Sequence, residues 1–440
     1  MTMNGLTIGT FIAAARERAL PPEVMDAARL CLADWMGVAI GAAAEQAGRI
    51  VRETVTGWRS TGRSTVLFGG TAAAPFAALA NGTLAHCLDF DDTYVDAVTH
   101  TSAPVWAATL ALGEETEATE LEMLAAFVTG FEVAARVGHG LGQAATARGW
   151  HGTGVFGRIG AAAAAAALLK LDAERALHAV ALAATQTSGL TASFGTMAKP
   201  FHAGKAAMDG ILSAQLAAGG FTGATGLFEP GAGLDNAVIQ DGSLSIALIE
   251  FSDWRILRNS FKPYAACHLI HPAIDAARRL LADGLDLGAV KAVRADVGAL
   301  AMKITGGGGH PATPLAGKFD LRYCVALALH GRDVSAGDFR DPWTLEPSIA
   351  ATAAKVSVHD HPDMGFASAT VTIDAAAAHI PVAKGHPGNP MGWDDMDRKF
   401  DALAAPALGN RTGAMLGLLR RFGDGDVLSE ARATLQELRV

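Results

Sequence analysis

Between residues 23 and 44, directly after Pro21-Pro22, the apolar positions Val24, Ala28, Cys31 and Trp35 recur at spacings of four, three and four. That period lays one apolar stripe along a helix, and proline suits its first turn because the missing N–H has no partner there anyway. The same texture predicts helices over 74–87, 102–115, 121–140, 155–170, 172–184, 203–218 and 272–282. Gly219-Gly220 and Pro230-Gly231 punctuate the series. Up to about residue 260 the pattern predicts helix almost throughout. After Lys262 the texture changes. Residues 290–297 and 367–373 are short, β-branched and partly alternating, with 380–383 as a shorter candidate strand and a helix-like stretch at 318–329 among them. Strands are expected only here, in a smaller α+β domain over 265–392. From 393 to 440 the pattern is helical and charged again, so the chain is expected to return to the first domain. The fold class is therefore mainly α, with a large all-α helical domain (1–264 and 393–440) and a smaller inserted α+β domain.

Bulk properties narrow the picture. A chain of 440 residues exceeds the usual size of one hydrophobic core, which favours two domains. Half of the residues are hydrophobic but only 6% aromatic, as closely packed helices of small residues require. The alanine run 161–167 fits the same packing role. A net charge of -9 excludes a general nucleic-acid binder while leaving room for a local basic pocket. The four cysteines, Cys31, Cys87, Cys267 and Cys324, form no CxxC pair, so neither a disulfide framework nor a metal cluster is expected, and a reducing cytoplasm is the simplest home. The first residues lack a basic region ahead of their apolar stretch. The longest smooth apolar run, 159–169, is about half the ~20 residues of a spanning helix, so no membrane association is expected. The glycine run 306–309 follows neither dinucleotide nor P-loop spacing and is expected to be a mobile loop near a cleft mouth.

Five segments hold acid/base groups in small-residue or apolar surroundings: NGTLAHCLDFDDTY (81–94), THTSAPVW (99–106), GWHGTG (149–154), MAKPFHAGKAA (197–207) and FKPYAACHLIH (261–271). Burying Asp, His and Lys is costly unless they are paired or used, so the five are expected to converge on one anion-handling pocket. In this order, together with FTGATGLFEPGAGL (221–234), GKFDLRYCVALAL (317–329) and GHPGNPMGWDDMDRKF (385–400), they resemble the MmgE/PrpD family. That family includes 2-methylcitrate dehydratases, cis-aconitate decarboxylases and an iminodisuccinate epimerase. The resemblance implies a helical domain with an inserted α+β lid, a homodimer, and an active site between the two domains that uses no metal or organic cofactor.

What it implies for residues agrees with their chemistry. Lys199 and Lys262, each before a proline, would bind substrate carboxylates and offset developing negative charge. His100 and His151 would take or give the proton, with the choice of acid and base left open. Many family members carry Pro directly after the first histidine; here Thr101 adds a hydroxyl and loosens the backbone. Asp89 would orient a lysine or histidine, Thr93 would donate to substrate, and Tyr323 and His268 would reach the ligand from the lid. Three carboxylates in LDFDDT raise the question of a divalent metal, but no Gly-punctuated calcium loop follows them. His202 and His271 are as readily structural as functional. His86, His178, His310, His330, His359 and His361 are expected in structural or surface roles. No GxSxG elbow points to a serine hydrolase.

The expected function is a cofactor-independent lyase acting on a small di- or tricarboxylate, first a hydro-lyase of the 2-methylcitrate dehydratase type. Decarboxylation of a cis-aconitate-like acid or epimerisation of an iminodisuccinate-like acid is the alternative on the same scaffold. A silent carboxylate-binding protein is the alternative from another class, and it would have little use for two titratable imidazoles.

Overall fold

The computed structural model describes residues 3–437 apart from 232, 309, 341 and 342; Gly309, the last of the 306–309 glycine run, thus lies outside the described residues. In chain order the first part contains α1 (Met3–Ala13), α2 (Pro22–Gly41), α3 (Gln46–Gly57), a short ribbon β1 (Ser64–Val66) and β2 (Gly70–Ala72), α4 (Ala74–His86), α5 (Ser102–Glu115), α6 (Glu120–Gly138), α7 (Gly142–Ala147), α8 (Gly152–Leu168), α9 (Ala173–Ala184), α10 (Ala198–Ala218) and α11 (Leu234–Ile239). The second part contains α12 (His271–Ala282), β3 (Val293–Val297), α13 (Ala299–Thr305), α14 (Pro314–Gly317), α15 (Leu321–Leu329), α16 (Pro347–Ala353), β4 (Val356–Asp360), β5 (Ala369–Ile373) and β6 (Ala376–Ile380). Then follow α17 (Trp393–Leu408), α18 (Thr412–Arg420) and α19 (Val427–Gln436). The protein is mainly helical with one small mixed sheet.

Every residue of α8 is buried, which its alanine-rich sequence allows because small side chains let helices meet at short range. Where α6 crosses α8, a Cβ on Gly130 would meet the Gly160 carbonyl oxygen at 2.5 Å. Where α4 crosses α10, a Cβ on Gly82 would meet the Gly204 Cα at 2.9 Å. Both crossings need glycine for closeness rather than for a turn. Larger side chains fill the core around these contacts. Trp106 is fully buried and stacked on Phe127 with ring centroids 4.1 Å apart, and Phe422 meets its edge. Truncating Trp106 to Ala should cost about 3–5 kcal/mol. No single described helix is long and apolar enough to cross a membrane.

The sheet has the order β4-β3-β5-β6, with β3 and β4 parallel and the other pairs antiparallel. The parallel pair needs a long crossover, supplied by the chain through α13, α14, α15 and α16. Val293, Ala295, Val356, Val358, Ala369, Val371, Ile373 and Ala378 are buried at alternating positions, and α12 and α15 pack against the sheet. After the sheet the chain runs back to α2. Phe400 of α17 lies over Gly37, where a Cβ would meet its ring at 2.9 Å, and Lys399 pairs with Asp34 at 2.5 Å.

Several elements differ from the sequence expectation. The ribbon of β1 and β2 lies in the part expected to be purely helical. Three residues a side are too short to show alternation, and the pair is held from outside by Asn81, which accepts from the Leu67 N–H and donates to the Thr65 carbonyl. Strand β4 and helices α1 and α3 were not anticipated, and the expected strand at 380–383 lies earlier, as β6.

Candidate functional site

The site begins where α4 stops. Past His86 the chain turns through Asp89, whose φ of +50° is left-handed, a conformation aspartate tolerates better than most residues. An antiparallel bridge between Thr93 and Ser260 then brings Lys262 beside this turn, and the first turn of α10 brings Lys199 from the other side. Lys199 Nζ donates to Asp89 Oδ1 at 2.5 Å. Lys262 Nζ donates to the same oxygen at 3.0 Å and to the Asp89 carbonyl at 2.7 Å. Burial alone would raise the Asp89 carboxyl, but the two ammonium groups overcome this and hold it well below the usual carboxylate range. Its other oxygen, Oδ2, is buried without a partner. One carboxylate therefore aligns two cations, which remain together more positive than the acid between them.

The two expected imidazoles stand nearby with ring centroids 6.4 Å apart. His100 Nδ1 lies 2.9 Å from the Asp92 carbonyl oxygen, and its backbone N–H donates to Thr153 Oγ1. A carbonyl only accepts, so Nδ1 carries the proton and Nε2 of the neutral ring is bare. Burial, and then the positive charges of Lys262 and Lys199, lower the His100 pKa despite Asp91. Thr101, at the start of α5, has φ -66°, the value a proline would take, so the exchange leaves that backbone angle in place. His151 sits just before α8, with its N–H on the Gly189 carbonyl. Its Nδ1 is 3.0 Å from His202 Nδ1, and its buried Nε2 has no partner. Burial followed by Lys199 holds it well below the ordinary histidine value.

These groups line one cavity, where about 480 Å³ of space, part of it open to solvent, is not filled by atoms. Its walls include Asp89, Thr93, His100, His151, Lys199, Lys262 and His268, with Phe194, Phe319, Phe366, Ile304 and Leu269 as apolar neighbours. Lys199 Nζ also lies 5.3 Å and 5.2 Å from the ring centres of Phe194 and Phe319. Both ring nitrogens of His268 are buried without partners, and burial together with His271 keeps the ring neutral at ordinary pH. The sequence-predicted residues thus converge, with one exception.

The chain matches the family models for the MmgE/PrpD N-terminal domain over residues 7–247 and the MmgE/PrpD C-terminal domain over residues 264–419. It belongs to the MmgE/PrpD family. It is 27% identical over 278 residues to a cis-aconitate decarboxylase of Aspergillus terreus, covering 59% of this chain and 56% of that protein. The human cis-aconitate decarboxylase is 26% identical over 357 residues, 76% of this chain and 73% of its own length. The mouse protein of the same name is 30% identical over 216 residues, 47% of this chain and 44% of its own. The match thus spans little more than half the length of the Aspergillus relative.

The exception in this MmgE/PrpD chain is Tyr323. It was expected to face the cleft, but it does not line the cavity; its ring packs against Phe339 and Trp343, 6.1 and 5.6 Å away, from the first turn of a buried helix. Burial pushes its phenol up to about 12. His271 does not line the cavity, and its Nε2 lies 3.1 Å from the Ala266 carbonyl.

Other residues near the site were not among those expected to line the pocket. His86 is fully buried, its Nδ1 2.8 Å from Asp91 Oδ2, and its ring lies 4.5 Å from His100 and 5.8 Å from His151. Asp91 thereby links His86 and His100, 3.3 Å from the latter. Lys318 Nζ donates to the Leu88 carbonyl at 2.5 Å, and burial pushes its ammonium down to about 8. Asp92 takes Ser102 and Asn259 as donors, and burial beside Asp34 pushes it up to about 7.

His86, Asp89, Asp91 and His100 offer atoms within 4.8 Å of one another, as a metal site would. Yet Asp89 Oδ1 already accepts from two ammonium groups and both Asp91 oxygens face His86 Nδ1. A cation would have to displace those bonds beside two positive charges, so the donor set fits proton handling better than a metal.

Proposed function

We propose that the cavity binds a small di- or tricarboxylate and acts as a lyase, with decarboxylation of a cis-aconitate-like acid as the reaction. The observation that carries this reading is the Lys199–Asp89–Lys262 cluster facing two neutral imidazoles across an apolar pocket. Lys199 and Lys262 hold carboxylates of the substrate. Phe319, Phe366, Ile304 and Leu269 surround the carboxylate that departs, where loss of its charge as CO₂ relieves desolvation. The carbon–carbon bond breaks, its electron pair moves toward a carboxylate held by an ammonium, and His151 Nε2 delivers one proton to carbon. Every step uses protein groups, so the reading requires no cofactor. The names of the relatives support decarboxylation over dehydration. Dehydration is the second reading, favoured by the bare Nε2 of His100, which supplies the base that decarboxylation does not need.

Incubation with cis-aconitate, 2-methylcitrate and iminodisuccinate in deuterated water, followed by proton NMR, separates these outcomes. Decarboxylation yields a product that has lost CO₂ and gained one deuteron. Dehydration yields an alkene with all carboxylates retained, and epimerisation yields solvent exchange alone. No product and no exchange with any acid would leave only carboxylate binding.

The same reading takes residues 265–392 as a lid over the helical body and the assembly as a homodimer. An exposed apolar stripe of Phe201, Leu212 and Leu216 on α10, with Met197 just before it, supports the latter. A cytoplasmic location is supported by four free thiols.

A further inference from the structure

His202, the fifth residue of α10, is half-buried behind the cavity, with its Nδ1 3.0 Å from Nδ1 of His151. Two imidazole nitrogens at that distance share one proton, so one donates while the other accepts. A neutral ring carries a single N–H. Whichever way the shared proton lies, it therefore decides whether His151 Nε2, buried and unpartnered on the cavity side, is a donor or a bare acceptor. His100 has no such freedom, because its Nδ1 faces a carbonyl. The chain is shaped to keep the histidine pair together. Gly189, at φ +106°, accepts from the His151 N–H, and a Cβ on it would meet His202 Nδ1 at 3.2 Å and His151 Cβ at 3.5 Å.

We propose that His202 is a positioning residue that sets the tautomer of His151 and passes it a solvent proton in each turnover, an inference that rests on the lyase reading above. As His151 Nε2 gives its proton to the substrate carbanion, His151 Nδ1 takes the proton on His202 Nδ1, and His202 Nε2 takes one from water. The carbanion is neutralised, both rings stay neutral, and bulk solvent has lost one proton. The starting arrangement returns when both rings turn, His151 presenting its new N–H to the cavity and its bare nitrogen to His202, and His202 presenting its new N–H to His151. Burial, Lys199 and Arg158 lower His202 to about 4, which keeps the relay between neutral tautomers.

The test uses the full chain with cis-aconitate. In His202→Gln, kcat should fall roughly 10- to 100-fold with KM changed less than about twofold. In His202→Ala, added imidazole should restore kcat in a concentration-dependent, saturable way, which a purely structural role would not produce. Independently of turnover, ¹⁵N-histidine-labelled wild type should show a through-hydrogen-bond ¹⁵N–¹⁵N coupling that His202→Gln removes. Absence of that coupling in folded wild type overturns the proposal. So does wild-type kcat in His202→Gln, while leaving the lyase reading intact. A wild type that turns over none of the three acids overturns the lyase reading and this proposal with it.

Discussion

The two walls of the cavity are unlike. The wall from residues 89–262 supplies Asp89, Thr93, His100, His151, Lys199 and Lys262 along with Val98 and Phe194, whereas the wall from 267–366 supplies Leu269, Ile304, Phe319 and Phe366 with one imidazole, His268. The charged groups and most of the imidazoles lie on the first wall, and most of the large apolar side chains on the second. The difference teaches that one wall can be altered to change what is accepted while the other continues to do the chemistry.

Substitutions should expose that division. The largest effect is expected from Lys199→Ala, which removes a cation and leaves Asp89 with Lys262 alone; kcat/KM should fall on the order of 10³-fold, with both kcat and KM affected in steady-state assays. His151→Ala should lower kcat roughly 10²-fold or more with little change in KM. Across the cavity, Phe319→Ala or Phe366→Ala should shift the ranking of acids by about 10-fold in kcat/KM while sparing kcat for the best of them. Equal losses of kcat from both walls would erase the distinction.

A smaller effect joins the walls. His86 on one side and His271 behind the other are both held down to about 3 by burial, against an ordinary value of 6.5. Between those values the unfolded chain binds protons that the folded one refuses. The stabilisation is therefore complete above about 6.5 and is lost as pH falls toward 3, at up to about 1.4 kcal/mol per pH unit for each group. Thermal unfolding followed from pH 7 to 5 should show Tm falling, and His271→Asn should flatten the curve. The smallest change is expected for Tyr323→Phe, with kcat within about twofold of wild type, since its ring packs away from the cavity.

Much of the site was legible because its residues sit in short segments with few other charges, so Lys199, Lys262, His100 and His151 stand out from their apolar flanks. The long helices were legible for the same reason, and the α5 boundaries agree with those expected from its pattern. Three-residue strands such as β1 carry no period to detect. Tyr323 misled because an amphipathic helix pattern does not say which cavity, if any, a buried face borders. His86 and His202 were indistinct because their importance lies in ring-to-ring distances of 4.5 to 5.2 Å across separate segments, which no local spacing encodes.

The glycine contact between α4 and α10 has a reach beyond packing. One helix leads into Asp89 and the other begins at the turn that carries Lys199, so the pair acts as a fixed gauge for the gap between acid and amine. A methyl group at Gly82 or Gly204 would touch no ligand, yet it would widen that gap, and a search for activity-altering changes confined to residues around the substrate would miss both positions.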